Sequence, residues 1–162
     1  QQKDIILSGL KSITTREEFD LFAERIKDEI KANLTNVEER QLESYNKVRK
    51  PVDLYLEHII AMSIEISDAE RARLIPLLFL PLDSWIFGSP DIFTDGELSF
   101  YGLSRRSTYK DVKDRSTYSA LHRMTLKKAR AISISFFPIY FDLIWGDRFL
   151  RDDARNLFES NP

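Results

Sequence analysis

Two side chains in this sequence have the types and the spacing to act together on a phosphodiester: Arg115 and His122. On a helix, residues seven apart lie on one side about two turns from each other. Imidazole is the side chain that titrates nearest neutrality, so His122 could move a proton to or from an attacking ribose hydroxyl or a leaving oxygen. A guanidinium at Arg115 would stabilise the extra charge on phosphorus. The chemistry such a pair offers is cleavage of RNA.

Both residues belong to the one basic stretch of an acidic chain. Residues 101–130 hold nine Lys/Arg against two Asp, a net charge of about +7 within a chain whose overall charge is −2. Arg105, Arg106, Lys110, Lys113, Arg123, Lys127, Lys128 and Arg130 alternate there with Tyr101, Tyr109 and Tyr118. Cations pair with phosphates and rings stack on unpaired bases, so Arg105, Arg106, Tyr109, Lys110, Lys113, Tyr118, Arg123 and Lys127 are the candidate binding residues for RNA or an acidic protein surface. The competing reading is internal balance, with these cations facing Glu38, Glu39, Glu43, Asp53, Glu57, Glu65, Asp68 and Glu70 of the first half.

An Arg, a short spacer and a His is also the pattern of the HEPN ribonucleases, which this chain resembles at Arg115 and His122. The resemblance implies an all-helical fold, metal-independent RNA cleavage by those two residues, and a homodimer. Here Ser116 follows the arginine, where that family commonly has Asn, Asp or His.

Elsewhere the sequence removes classes of chemistry. With no cysteine there is no disulfide, thiolate site or Cys nucleophile, and a reducing, cytoplasmic setting is the default expectation. His58 stands far from His122 with no ligand spacing around either, so no metal site is expected. No phosphate-loop, dinucleotide-binding or serine-nucleophile motif occurs, and no cofactor is expected. The leading functional expectation is a non-enzymatic helical interaction module whose basic surface (105–130) engages an acidic partner. The alternatives are the HEPN-like ribonuclease and a small-molecule-binding helical bundle, for which the many aromatic residues would serve.

The elements that must position these residues read as helices of one domain, 1–162, with 1–14 as a loosely ordered arm. A chain of 162 residues that is 43% apolar can bury a proper core. Thr15-Arg-Glu-Glu18 and Ser67-Asp-Ala-Glu70 have the capping-box form, and Phe19, Phe22, Ile26 and Ile30 make an apolar stripe after the first of them. A second segment should open at Asn36-Val-Glu-Glu39 and be bent or divided at Pro51. Leu74–Leu82, apolar throughout, predicts a central helix made irregular by Pro76 and Pro81. Asp95-Gly96 predicts a small β-hairpin over 92–100. Beyond it, helix is expected from Thr108, broken near Ser116, with Tyr118, Leu121, Thr125, Ala129, Ile132 and Phe136 facing inward. Ser133–Phe141 reads as a buried helix bent at Pro138, and Phe149–Phe158 as a last short one. The whole is an all-α bundle of five to seven helices. Its longest apolar runs are too short to span a membrane.

Overall fold

The computed structural model describes residues 2–144; the expected helix over 149–158 lies outside them. Eight α-helices and no strand occur among the described residues: α1 (Gln2–Ser12), α2 (Arg16–Asn33), α3 (Tyr45–Met62), α4 (Asp68–Leu74), α5 (Ser84–Gly88), α6 (Asp95–Phe100), α7 (Arg115–Ile132) and α8 (Tyr140–Ile144). The all-α expectation holds, with more helices than the five to seven foreseen. Among the described residues no helix is long and apolar enough to cross a membrane.

Local chemistry starts several of these helices where the sequence said it would. Thr15 accepts from the Glu18 N–H while Glu18 reaches back to the cap, and Ser67 and Glu70 do the same at α4. The N-terminal segment is helix rather than a loose arm. Leu7, Leu10 and Ile13 bury themselves, and Gly9 lets α1 lie against α2, because a Cβ there would come within 2.4 Å of the Phe22 ring. α3 begins later than Asn36, preceded only by a 3-10 turn at Glu39–Gln41, and runs through Pro51 as one helix. Its first amides are satisfied from outside, Tyr45 N–H by Lys113 O and Asn46 N–H by Val112 O. Those two bonds fasten the loop before α7 to the start of α3.

Three expected elements are corrected. Residues 92–100 are not a hairpin: Thr94 and Glu97 form a capping box, and Asp95-Gly96 opens α6. Leu74–Leu82 is buried as expected but is not a helix. α4 stops at Leu74, a 3-10 turn covers Ile75–Leu77, and Leu78 turns extended with φ −58° and ψ 143°. Pro76 fits the first positions of that turn, whereas Pro81 has no N–H to give and pushes Leu80 out of the α region. The third correction concerns α7, which starts at Arg115 behind Asp114 rather than at Thr108, and ends at Ile132. Thr108 caps only a 3-10 turn, Tyr109–Asp111. Ser133 is extended, so Ile134 stands in solvent and residues 133–139 are turns instead of a buried helix.

The core gathers around the extended 78–82 segment. Phe19, Phe22 and Ala23 of α2, Val52, Leu56 and Ile60 of α3, and Tyr118, Leu121 and Ala129 of α7 close on it, so these three helices position the basic stretch.

Candidate interaction surface

α7 divides the basic stretch into an inner and an outer set. Tyr118, Leu121, His122, Thr125 and Ala129 are buried along one side of the helix. Arg123, Lys127 and Arg130 recur at steps of four and three on the opposite side and are exposed. The helix stands on Asp114, whose carboxylate accepts from Thr117 N–H at 2.8 Å and from the Ser116 and Thr117 hydroxyls, holding that carboxyl below its usual range.

Arg115 and His122 share a side of α7, as their spacing requires, and that side is turned against α2 and the 78–82 segment. Arg115 Nη2 donates to Asp20 Oδ2 at 2.8 Å, and its Nε lies 4.0 Å from Glu24 Oε2. His122 is 3% exposed, its ring centroid 4.2 Å from that of Tyr118 and 4.9 Å from that of Phe79. Neither ring nitrogen has a hydrogen-bond partner among the described residues, and neither is reached by solvent. Burial holds the imidazole pKa well below its usual value, with the Arg16 and Arg49 cations adding to the effect. In this arrangement the imidazole is a neutral packing ring, out of reach of a dissolved phosphodiester.

Beneath Arg115 lies a charged network that the sequence reading missed. Arg49 is 0% exposed. Its Nε donates to Asp53 Oδ1 at 2.8 Å, and its Nη1 to Asp20 Oδ1 at 2.8 Å and Glu24 Oε1 at 2.6 Å. Glu24 also accepts from the Tyr45 hydroxyl at 2.5 Å and from Lys27 Nζ at 2.9 Å, and Tyr118 donates its hydroxyl to Asp53 Oδ2 at 2.7 Å. The Arg49 guanidinium carbon lies 4.9 Å from the Phe79 ring centroid and 5.1 Å from that of Tyr118, and that of Arg16 lies 4.3 Å from Phe79. Arg16 Nη2 and Arg49 Nη2 have no hydrogen-bond partner among the described residues, and the ring faces within cation–π distance supply part of what those guanidinia lack. Burial pushes the Asp53 carboxyl up to about 6, although Arg49 and the Tyr118 hydroxyl pull it down. The network ties α2, α3 and α7 together. Asp20-x3-Glu24 and Arg49-x3-Asp53, each one helical turn apart, were its only trace in the sequence.

Each remaining candidate can now be placed. Arg105 is spent internally, its Nε on Asp95 Oδ1 at 2.7 Å and its Nη1 on Ser89 O at 2.5 Å and Phe87 O at 3.3 Å. Lys128 is likewise bound to Glu97 Oε2 at 2.6 Å and Ile92 O at 2.7 Å. Tyr118 is buried, and Tyr109 is half-buried with Lys50 and Lys110 nitrogens 5.4 and 5.6 Å from its ring centroid, so neither offers a clear face to a base. Arg106, Lys110, Lys113, Arg123, Lys127 and Arg130 are exposed, and none is within ion-pair distance of a carboxylate among the described residues. Arg130 extends the set named from sequence. Among the described residues no cluster of His, Asp and Glu is arranged to hold a metal ion.

No protein-family model matches the chain, and neither the curated proteins nor the solved structures contain a match to it.

Proposed function

We propose that this protein is a helical interaction module whose basic face engages an acidic partner. The observation that carries the reading is the outer side of α7, where Arg123, Lys127 and Arg130 stand in line, exposed, with no carboxylate of the described residues against them. Arg105, Arg115 and Lys128 are consumed within the fold, so the excess positive charge of residues 101–130 is concentrated on side chains that reach solvent. Arg106, Lys110 and Lys113 add to it from the loop that leads into the helix.

Heparin serves as a class-neutral polyanion for the test. Binding should weaken steeply as salt rises, because each neutralised anionic group releases a counterion. Joint replacement of Arg123, Lys127 and Arg130 by Gln, which keeps the helix propensity, should flatten that salt dependence and remove most of the affinity while leaving the melting temperature nearly unchanged, since no described contact uses them. Binding that is indifferent to salt, or unaltered in the triple variant, rules the reading out.

A further inference from the structure

We infer that an apolar strip on the outer side of α3 is the docking site of the chain's own segment 145–162, an inference independent of the basic face. From Pro51 to Met62 the outward positions of α3 are Pro51, Leu54, Tyr55, His58, Ala61 and Met62, all exposed and none of them Asp, Glu, Lys or Arg. Leu54 is 38% exposed, Tyr55 44% and Met62 71%. Val52, Leu56 and Ile60 fill the inner side, so this stretch carries apolar side chains on both its sides. A helix of that composition is ordinarily enclosed.

The strip is about 18 Å long and roughly 10 Å wide, far short of the ~800 Å² that each partner of a stable complex covers, so a second copy would hold poorly there. A segment of the same chain needs less contact, because its attachment keeps it at high effective concentration. Glu57, three residues after Leu54 and four before Ala61, flanks the strip on their side. Its carboxyl is pushed up by burial and then by Asp142, so α8 passes close to that flank. α8 ends at Ile144, two residues beyond Asp142, and residues 145–162 are eighteen in number. Even wound as a helix they would span about 27 Å, enough to run the length of the strip. Among them Phe149, Leu150, Ala154, Leu157 and Phe158 have the spacing of one apolar side, with Arg151, Asp152 and Arg155 between them. The segment thus has an apolar side for the strip and charges to present in its place.

Peroxide oxidation of Met62 in the full chain, followed by peptide mass, tests this, because a covered thioether reacts slowly and an open one reacts like free methionine. Met62 should oxidise severalfold more slowly than it does in the urea-unfolded chain, by the same factor at every protein concentration. Leu157→Ser with Phe158→Ser should remove that protection, and so should Leu54→Asp, which alters the strip and leaves the segment intact. Met124, half-buried on α7, serves as the internal control and should keep its rate in both variants. Met62 reacting in the unmodified protein as fast as in the unfolded chain would overturn the inference. Protection that survives both variants would mean another occupant, and protection that grows with protein concentration would mean a second copy; either result overturns it as well.

Discussion

His122→Phe separates a packing role for this imidazole from a chemical one, and its effect can be worked from the burial of the ring. In the folded chain His122 is 3% exposed, its pKa pressed well below 6.5 first by burial and then by Arg16 and Arg49. In the unfolded chain it titrates near 6.5, so below that pH the unfolded state binds a proton that the folded state refuses. Stability is therefore whole above pH 6.5 and falls as pH drops. At pH 5, about 1.5 units lower, the loss reaches up to about 2 kcal/mol at ~1.36 kcal/mol per unit. Phenylalanine keeps a ring between Tyr118 and Phe79 and has nothing to protonate. Its larger size adds a constant cost of about 1–3 kcal/mol if the site cannot relax, but that cost does not vary with pH. Urea unfolding of both proteins at pH 8, 6.5 and 5 reads the difference directly. The unmodified protein should lose stability relative to the variant across the acid half of that range. Parallel curves would show that His122 takes up its proton in the fold as readily as in the unfolded chain, and the description of it as a buried neutral ring would fail.

Arg49→Leu should cost about 3–5 kcal/mol by leaving the Asp20, Glu24 and Asp53 carboxyls without their shared guanidinium, so that buried Asp53 must take up a proton, read as a lowered urea midpoint. An unchanged midpoint would mean the network contributes no net stability. Glu57→Gln addresses a different carboxyl, pushed up to about 7 by burial and then by Asp142 and Asp53. Because the folded acid holds its proton more tightly than the unfolded one, this site's contribution is whole below about 4.5 and lost as pH rises through about 7. The unmodified protein should thus lose melting temperature relative to the Gln variant as pH rises from about 4.5 to about 7 and level off above that, and a pH-independent difference would contradict the shift. Gly96→Ala should raise stability by about 0.4–1 kcal/mol, since the position is helical and nothing lies within 4 Å of the added Cβ. A loss of stability there would favour the hairpin that the Asp-Gly pair suggests.

Signals carried within one turn of chain were the legible ones. Thr15–Glu18 and Ser67–Glu70 each contain both halves of a reciprocal cap, so they start helices whatever surrounds them. Thr94–Glu97 holds the same signal, but it was masked by Asp95-Gly96, which is good turn chemistry and an acceptable first turn of a helix alike. Burial of Leu74–Leu82 followed from its apolar run, whereas its conformation depended on two prolines whose effect differs with position. The inner face of α7 was legible through Ala129, because periodicity reports which side is covered. Which cations that covering would consume was not legible. Arg105, Lys128 and Arg115 meet carboxylates 10, 31 and 95 residues away, and only the fold brings them together. Arg49 escaped notice for a related reason: an arginine is ordinarily a surface residue, and nothing in its neighbours announces three carboxylates arriving from two helices.

The strap of residues 78–82 has a consequence for how the chain survives its own synthesis. Having no repeating ladder of its own, it cannot order before α2, α3 and α7 enclose it, and until then it is the stickiest length of the polypeptide. Pro76 just precedes that length and Pro81 lies within it; neither can donate to a neighbouring strand, so two stray copies meeting there find a broken edge. The residues that deny the centre a helix also guard it against amyloid-like self-pairing.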